Sequence, residues 1–216
     1  MKPSDRSLPH RRSVRLRGYD YSQPGAYFVT LCTQRMDCLF GTIVGGQMRV
    51  SPAGAIVQEC WLEIPRHFDH AVLDEFVVMP NHLHGILVFS PGAHHGVPLP
   101  APLHGVPGFR GTRGGVPRQE AFARPAAGSL ASVLRLIKQS VTRRVAVGLD
   151  VGARLGVPLP IWQRNYYEHI IRNQDELDKI REYIRTNPLR WACDRYHPEN
   201  GVLVQDETGR VLPWET

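Results

Sequence analysis

The chain has 216 residues, with 26 Lys and Arg against 20 Asp and Glu, a formal charge of +6 when histidines are neutral. Hydrophobic residues at 42% and charged residues at 21% describe a globular chain and exclude a strongly charged disordered polymer. No apolar run approaches the roughly 18–20 residues that a bilayer-spanning helix needs, and the first residues are charged without the apolar core of a secretory signal. Cys32, Cys38, Cys60 and Cys193 form no CxxC pair and no disulfide framework, so a reducing, cytoplasmic setting without a membrane partner is expected. Neither GxxxxGK(S/T) nor GxGxxG after a strand occurs, which argues against nucleotide hydrolysis.

Residues 1–18 read as a basic, flexible tail: Lys2, Arg6, Arg11, Arg12, Arg15 and Arg17 stand against the single acid Asp5. The β-branched and aromatic run 27–32 predicts a first strand. Segments 39–43 and 47–50 flank Gly45-Gly46 and predict a hairpin. Ser51 followed by Pro52 opens a helix whose apolar stripe is Ile56, Val57, Cys60, Trp61 and Ile64, with Pro65 as the expected stop. Segments 71–79 and 82–89 predict two strands about Pro80-Asn81. Residues 91–128 are dense in Gly and Pro and repeat short words (HGVP at His95 and His104, GVPLP at Gly96 and Gly156), as a flexible insertion does.

Ser129 then caps a helix with Leu130, Val133, Leu134, Ile137, Val141 and Val145 on one side and Arg135, Lys138, Arg143 and Arg144 on the other. Segment 166–171 predicts another strand. Asn173 followed by Glu176 starts a last helix with Leu177, Ile180 and Ile184 buried, ending at Pro188. The expected organisation is a tail (1–18), a domain (19–192) interrupted by the 91–128 insertion, and a second tail (193–216). The element order predicts an α+β domain, with helices covering one face of a mainly antiparallel sheet.

The segregated positive charge suits a polyanion, most simply nucleic acid, with a solvated helix face as the alternative. The sharpest chemical signal is His82-Leu83-His84. Residues two apart on a strand share a face, so two imidazoles project together and can chelate a divalent metal; a pair of half-buried, hydrogen-bonded histidines is the plainer alternative. Tyr183 and Asn187 lie four apart on one helix face. Asn187 offers an amide oxygen to a hard cation and Tyr183 a phenol, although a Tyr beside Ile180 and Ile184 also fits a core edge. Together these residues propose a metal that binds phosphate beside a tyrosine nucleophile.

Three ordered blocks, MPNHLHGILV, IWQRNYYEHIIRN and LDKIREYIRTNPLRW, resemble the single-tyrosine transposases of the HUH superfamily, most closely the bacterial REP-associated tyrosine transposases. The resemblance spans residues 19–90 and 129–191. It implies a ferredoxin-like fold with the catalytic Tyr on a C-terminal helix, and Mg²⁺- or Mn²⁺-dependent cleavage and rejoining of single-stranded or hairpin DNA through a 5′-phosphotyrosine. By that resemblance His82, His84 and Asn187 hold the metal and Tyr183 is the nucleophile; Glu168 and His169 receive no role. Tyr166 and Tyr167 are rival nucleophiles that lack an Asn at helical spacing. Arg11, Arg12, Arg15, Arg17, Arg135, Lys138, Arg143 and Arg144 are the expected DNA-backbone contacts, and Tyr19, Tyr21 and Trp191 are candidates for stacking on unpaired bases. A monomer and a homodimer both remain open. The competing classes are a non-catalytic or domesticated DNA-binding protein of the same fold, and a metal hydrolase built as a (β/α)₈ barrel. His94, His95 and His104 read as spacer histidines.

Overall fold

The computed structural model describes residues 19–91, 125–148 and 160–200. Strand β1 (Gly25–Cys32) is followed by the hairpin β2 (Gly41–Val44) and β3 (Gln47–Val50), helix α1 (Pro52–Leu62) and the short α2 (Ile64–His67). Then come β4 (Ala71–Val78), β5 (His82–Phe89), α3 (Leu130–Gly148), β6 (Tyr167–Ile171), α4 (Gln174–Thr186) and a 3₁₀ segment (Asn187–Cys193). The central sheet has the order β4-β5-β1-β6, every neighbouring pair antiparallel. With α1 and α3 as the crossovers, this is a βαββαβ ferredoxin-like domain. An antiparallel sheet with two edges excludes the (β/α)₈ barrel. Among the described residues no helix is long and apolar enough to cross a membrane, and all four cysteines are free.

Local chemistry explains the element boundaries. The Ser51 hydroxyl accepts the Gly54 N–H at 3.1 Å and Pro52 sits in the first turn of α1, where its missing N–H has no helical partner to lose. Gly45 and Gly46 both have positive φ (58° and 74°), the backbone a two-residue hairpin turn requires. Pro65, the expected stop, instead occupies the first turn of α2, because α1 already ends at Leu62. At Pro188 the expected stop holds for α4, which ends at Thr186 with Asn187 as its cap, and the chain continues as the 3₁₀ segment with Pro188 in its first turn.

The two sides of the sheet carry separate cores. Tyr27, Val29, Leu31, Leu83, Leu87 and Phe89 face α1 and α3, while Ala26, Phe28 and Ile86 face α4. The expectation of helices on one face therefore holds for α1 and α3 only; α4 covers the opposite face. The reason is visible in β1 and β5, which are apolar at both alternating sets of positions and so leave two faces to bury. A Cβ on Gly85 would lie 2.3 Å from the Trp61 ring, so α1 approaches the sheet closely at that residue. Tyr21 is buried against Tyr27 on the α1/α3 side, and the half-buried Tyr19 packs against the same cluster.

The C-terminal boundary expected at 193 falls inside folded structure. Asp194 is buried, and Asn81 Nδ2 donates to the Tyr196 carbonyl at 2.7 Å. The tail arginines Arg11, Arg12, Arg15 and Arg17, and residues 92–124 of the expected insertion, lie outside the described residues.

Helix α4 is pinned to the edge strand β4 at an irregularity between Leu73 and Phe76. There Arg181 donates to both carboxylate oxygens of Asp74, and Arg185 reaches Glu75 at 3.0 Å. Burial pushes the Asp74 carboxyl up, but the Arg181 guanidinium outweighs it and holds the group below its ordinary range. A depressed folded pKa contributes stability that is present above the unfolded value, about 4, and disappears as pH falls through the folded value. Asp74→Asn is therefore expected to destabilise the fold by about 2 kcal/mol at neutral pH, with the difference in Tm from wild type closing as pH falls through the depressed folded value. Thermal melts across pH test this; a pH-independent difference would contradict it.

Candidate active site

Strand alternation builds the site. In β5, His82, His84 and Ile86 point to the α4 face, while Leu83, Gly85 and Leu87 point to α1. The register sets Thr30 of β1 opposite His84. On α4 the buried stripe is Leu177, Ile180, Tyr183 and Ile184, and this spacing lowers Tyr183 onto the histidines. The Tyr183 hydroxyl stands 3.2 Å from His84 Nε2, and His84 Nε2 stands 3.0 Å from His82 Nε2. Phe28 stacks on the His84 ring with centroids 5.3 Å apart and fixes its plane.

The hydrogen bonds behind the two imidazoles determine which nitrogens are available. Asn81 is fully buried; its Nδ2 donates to the carbonyls of Met36 and Tyr196, so its Oδ1 is left as an acceptor. The His82 Nδ1–H donates to that oxygen at 2.8 Å, which places a lone pair on His82 Nε2. His84 Nδ1 lies 2.8 Å from the Thr30 hydroxyl, which can donate or accept. Two arrangements follow. In one, His84 donates from Nε2 to His82. In the other, His84 carries its proton on Nδ1 toward Thr30, and both Nε2 lone pairs face the same point, as two metal ligands do.

The surrounding donors fit a cation there. Asn187 Oδ1 is buried and takes no hydrogen bond among the described residues, while Asn187 Nδ2 donates to Asp194 at 3.0 Å. His82, His84 and Asp194 form a buried group whose ligand atoms lie within 4.8 Å of one another, and this group could hold a metal ion. Burial lowers His82 well below its ordinary range, with His84 contributing, and pushes His84 down to about 3, helped by the charge of Arg195. Both rings are thus neutral, the form that ligates metals. Burial, then the negative charge of Asp194, raises the Tyr183 phenol above its usual value. Burial likewise raises Asp194.

Of the expected site residues, the structure brings His82, His84, Tyr183 and Asn187 together. Trp191 lies at the site as well, its ring centroid 6.1 Å from that of His82. Tyr167 packs against Phe28, and Tyr166 lies beneath Lys138. Arg135, Lys138, Arg143 and Arg144 lie on α3, across the sheet from Tyr183. Lys138 donates to the carbonyls of Gln163 and Asn165, and Arg144 pairs with Glu63. Asp194, Asn81 and Thr30 received no role in the sequence reading. Asn81 had a local signal, its place in the Pro-Asn-His-Leu-His word; Asp194 had none, being seven residues beyond Asn187 in a segment without periodicity.

No family model matches the chain. It is 37% identical over 191 residues to a Haemophilus influenzae protein described only as uncharacterised, an alignment covering 88% of this chain and 94% of that one. Among solved structures, a REP-associated tyrosine transposase bound to a REP hairpin aligns over 92% of this chain and 93% of its own, with a TM-score of 0.51 and 18% identity. The fold is that of a REP-associated tyrosine transposase. The chain belongs to the same family as the Haemophilus influenzae protein.

The hydrogen-bond pattern yields a test of Asn81. Asn81→Ala removes the acceptor that orients His82, so a divalent cation held by this pair is expected to bind about 10- to 100-fold more weakly, with Mn²⁺ as the probe in titration calorimetry. Asn81→Asp keeps that acceptor while losing both donated bonds, so it should be less stable than wild type yet bind Mn²⁺ more tightly than Asn81→Ala. Equal affinity in the two variants would contradict the orienting role.

Proposed function

We propose that this protein cleaves and rejoins single-stranded DNA through a covalent bond to Tyr183. The observation that carries the reading is the Tyr183 hydroxyl 3.2 Å from His84 Nε2, beside a second imidazole nitrogen and the unpartnered Asn187 oxygen. A phenol, two neutral imidazoles and oxygen donors in one buried spot match phosphoryl transfer to a tyrosine.

His82 Nε2, His84 Nε2 and Asn187 Oδ1 would hold the cation, with the Asp194 carboxylate within reach of the same point. The oxygen donors bring the set toward hard cations, so Mg²⁺ or Mn²⁺ is the class proposed. Such an ion supplies positive charge that favours phenolate and neutralises the phosphate. The chain's own contribution is placement. The sheet fixes the histidines, and α4, held by Arg181 and Arg185, fixes the phenol against them. Tyr183 Oη attacks phosphorus, the bond from phosphorus to the 3′-oxygen breaks, and a 5′-phosphotyrosine and a 3′-hydroxyl result. The phenol proton passes to water and the leaving oxygen takes one up, so the step is proton-neutral overall. A 3′-hydroxyl on a second DNA end reverses it, with no nucleotide hydrolysis required.

The partner proposed is hairpin-forming DNA, in keeping with the REP hairpin bound by the structural neighbour. Of the α3 cations, Arg135 and Arg143 remain exposed for the DNA backbone. The experiment is a denaturing gel of labelled hairpin DNA incubated with wild type, Tyr183→Phe and His82→Ala, with Mn²⁺ or EDTA. A slow-migrating covalent band is expected in wild type with metal alone, with at least about a 10³-fold loss in either variant. DNA binding with no covalent band would contradict catalysis and leave a non-catalytic DNA-binding protein.

A further inference from the structure

The charges around Tyr183 divide into paired and unpaired groups in a way that marks a path for the strand to be cut. A cleft of about 520 Å³ runs along α4 and is lined by Asp175, Asp178, Lys179, Glu182, Tyr183, Thr186 and Arg190. It runs beside the buried Tyr183. Two of its three acids are occupied by arginines of α4: Asp178 pairs with Arg181 at 3.1 Å and Glu182 with Arg185 at 3.6 Å. Both of its cations, Lys179 and Arg190, are exposed and make no side-chain hydrogen bond or ion pair among the described residues. Arg195, also exposed, lies near enough for its charge to act on Tyr183 and His84. On α3 the position is reversed for two of the four cations, since Lys138 and Arg144 are bound within the protein and all four lie across the sheet from the phenol.

Resting on the function proposed above, we infer that Lys179 and Arg190 contact the phosphates of a single-stranded segment lying along α4, and so position the scissile phosphate at Tyr183. Their spacing suits such a role. Lys179 precedes Tyr183 by one turn of α4 and Arg190 follows in the 3₁₀ segment, and all three line the same cleft, so a strand held by both runs past the residue that carries the nucleophile. Their exposed side chains exchange counterions for phosphates, while Asp178 and Glu182 beside them share Arg181 and Arg185 with Asp74 and Glu75.

The test measures binding of the full-length protein to a labelled hairpin with and without a single-stranded extension, across a salt series. Two lost contacts to single-stranded DNA reduce the slope of log affinity against log salt by about 1.4, or about 25-fold in affinity at 0.1 M salt. Lys179→Ala/Arg190→Ala should show that loss on the extended hairpin only, and Lys179→Arg/Arg190→Lys should restore affinity. Both positions are on the surface, and a matching Tm shows the variants fold. Unchanged affinity for the extended hairpin, or an equal loss on both DNAs, overturns the inference. Covalent adduct formation by wild type in the same samples separates the two claims. Adduct with no effect of the double variant removes this path and leaves the nuclease reading standing; neither binding nor adduct in wild type removes both.

Discussion

Two imidazole nitrogens face one another across 3.0 Å inside a protein core, and the rest of the site follows from that constraint. A neutral imidazole has one donor and one acceptor nitrogen. Asn81 takes the only proton of His82 on the far side of its ring, so the near side must meet either the proton of His84 or a cation. Thr30, able to act as donor or acceptor, permits both. The dyad is thus self-sufficient without metal and can become a two-nitrogen chelate by moving one proton across His84. Burial keeps both rings neutral and so preserves that choice over the whole physiological pH range.

Tyr183 is subject to the same burial with the opposite consequence. The environment that keeps the histidines ready as ligands raises the phenol and disfavours its anion. In the proposed reaction these effects are complementary, because positive charge at the dyad offsets burial at the one point where the phenol hydroxyl stands. Such compensation requires α4 to stay in register with β5. Asp74 and Glu75, at the irregularity in β4, hold Arg181 and Arg185 on α4 and provide that registration. The helix carrying the phenol is fastened to the same sheet that carries the histidines, so one chain assembles the whole constellation.

What could be read from the amino-acid sequence was what depends on period. Alternation along β5 put His82 and His84 on one face, helical spacing put Tyr183 and Asn187 on another, and Ser51-Pro52 marked a helix start that the structure reproduces. What could not be read depends on contacts distant in the chain. Nothing local says that Asp194 returns to Asn187, that Asn81 ties residue 36 to residue 196, or that α4 takes the opposite face from α1 and α3. Basic residues on α3 read as a binding face because composition does not reveal that Arg144 meets Glu63 or that Lys138 closes three carbonyls. Tyr19 and Tyr21 read only as candidates for base stacking, because their packing on Tyr27 is a tertiary fact.

The central claim is that one phenol out of several tyrosines attacks phosphorus. The most direct measurement is peptide mapping by mass spectrometry of protein incubated with Mn²⁺ and a single-stranded hairpin, then digested with nuclease and protease. The account predicts a nucleotide remnant on Tyr183 alone. A remnant on Tyr166, Tyr167 or Tyr196 would contradict it, since the account rests on the Tyr183 hydroxyl 3.2 Å from His84 Nε2.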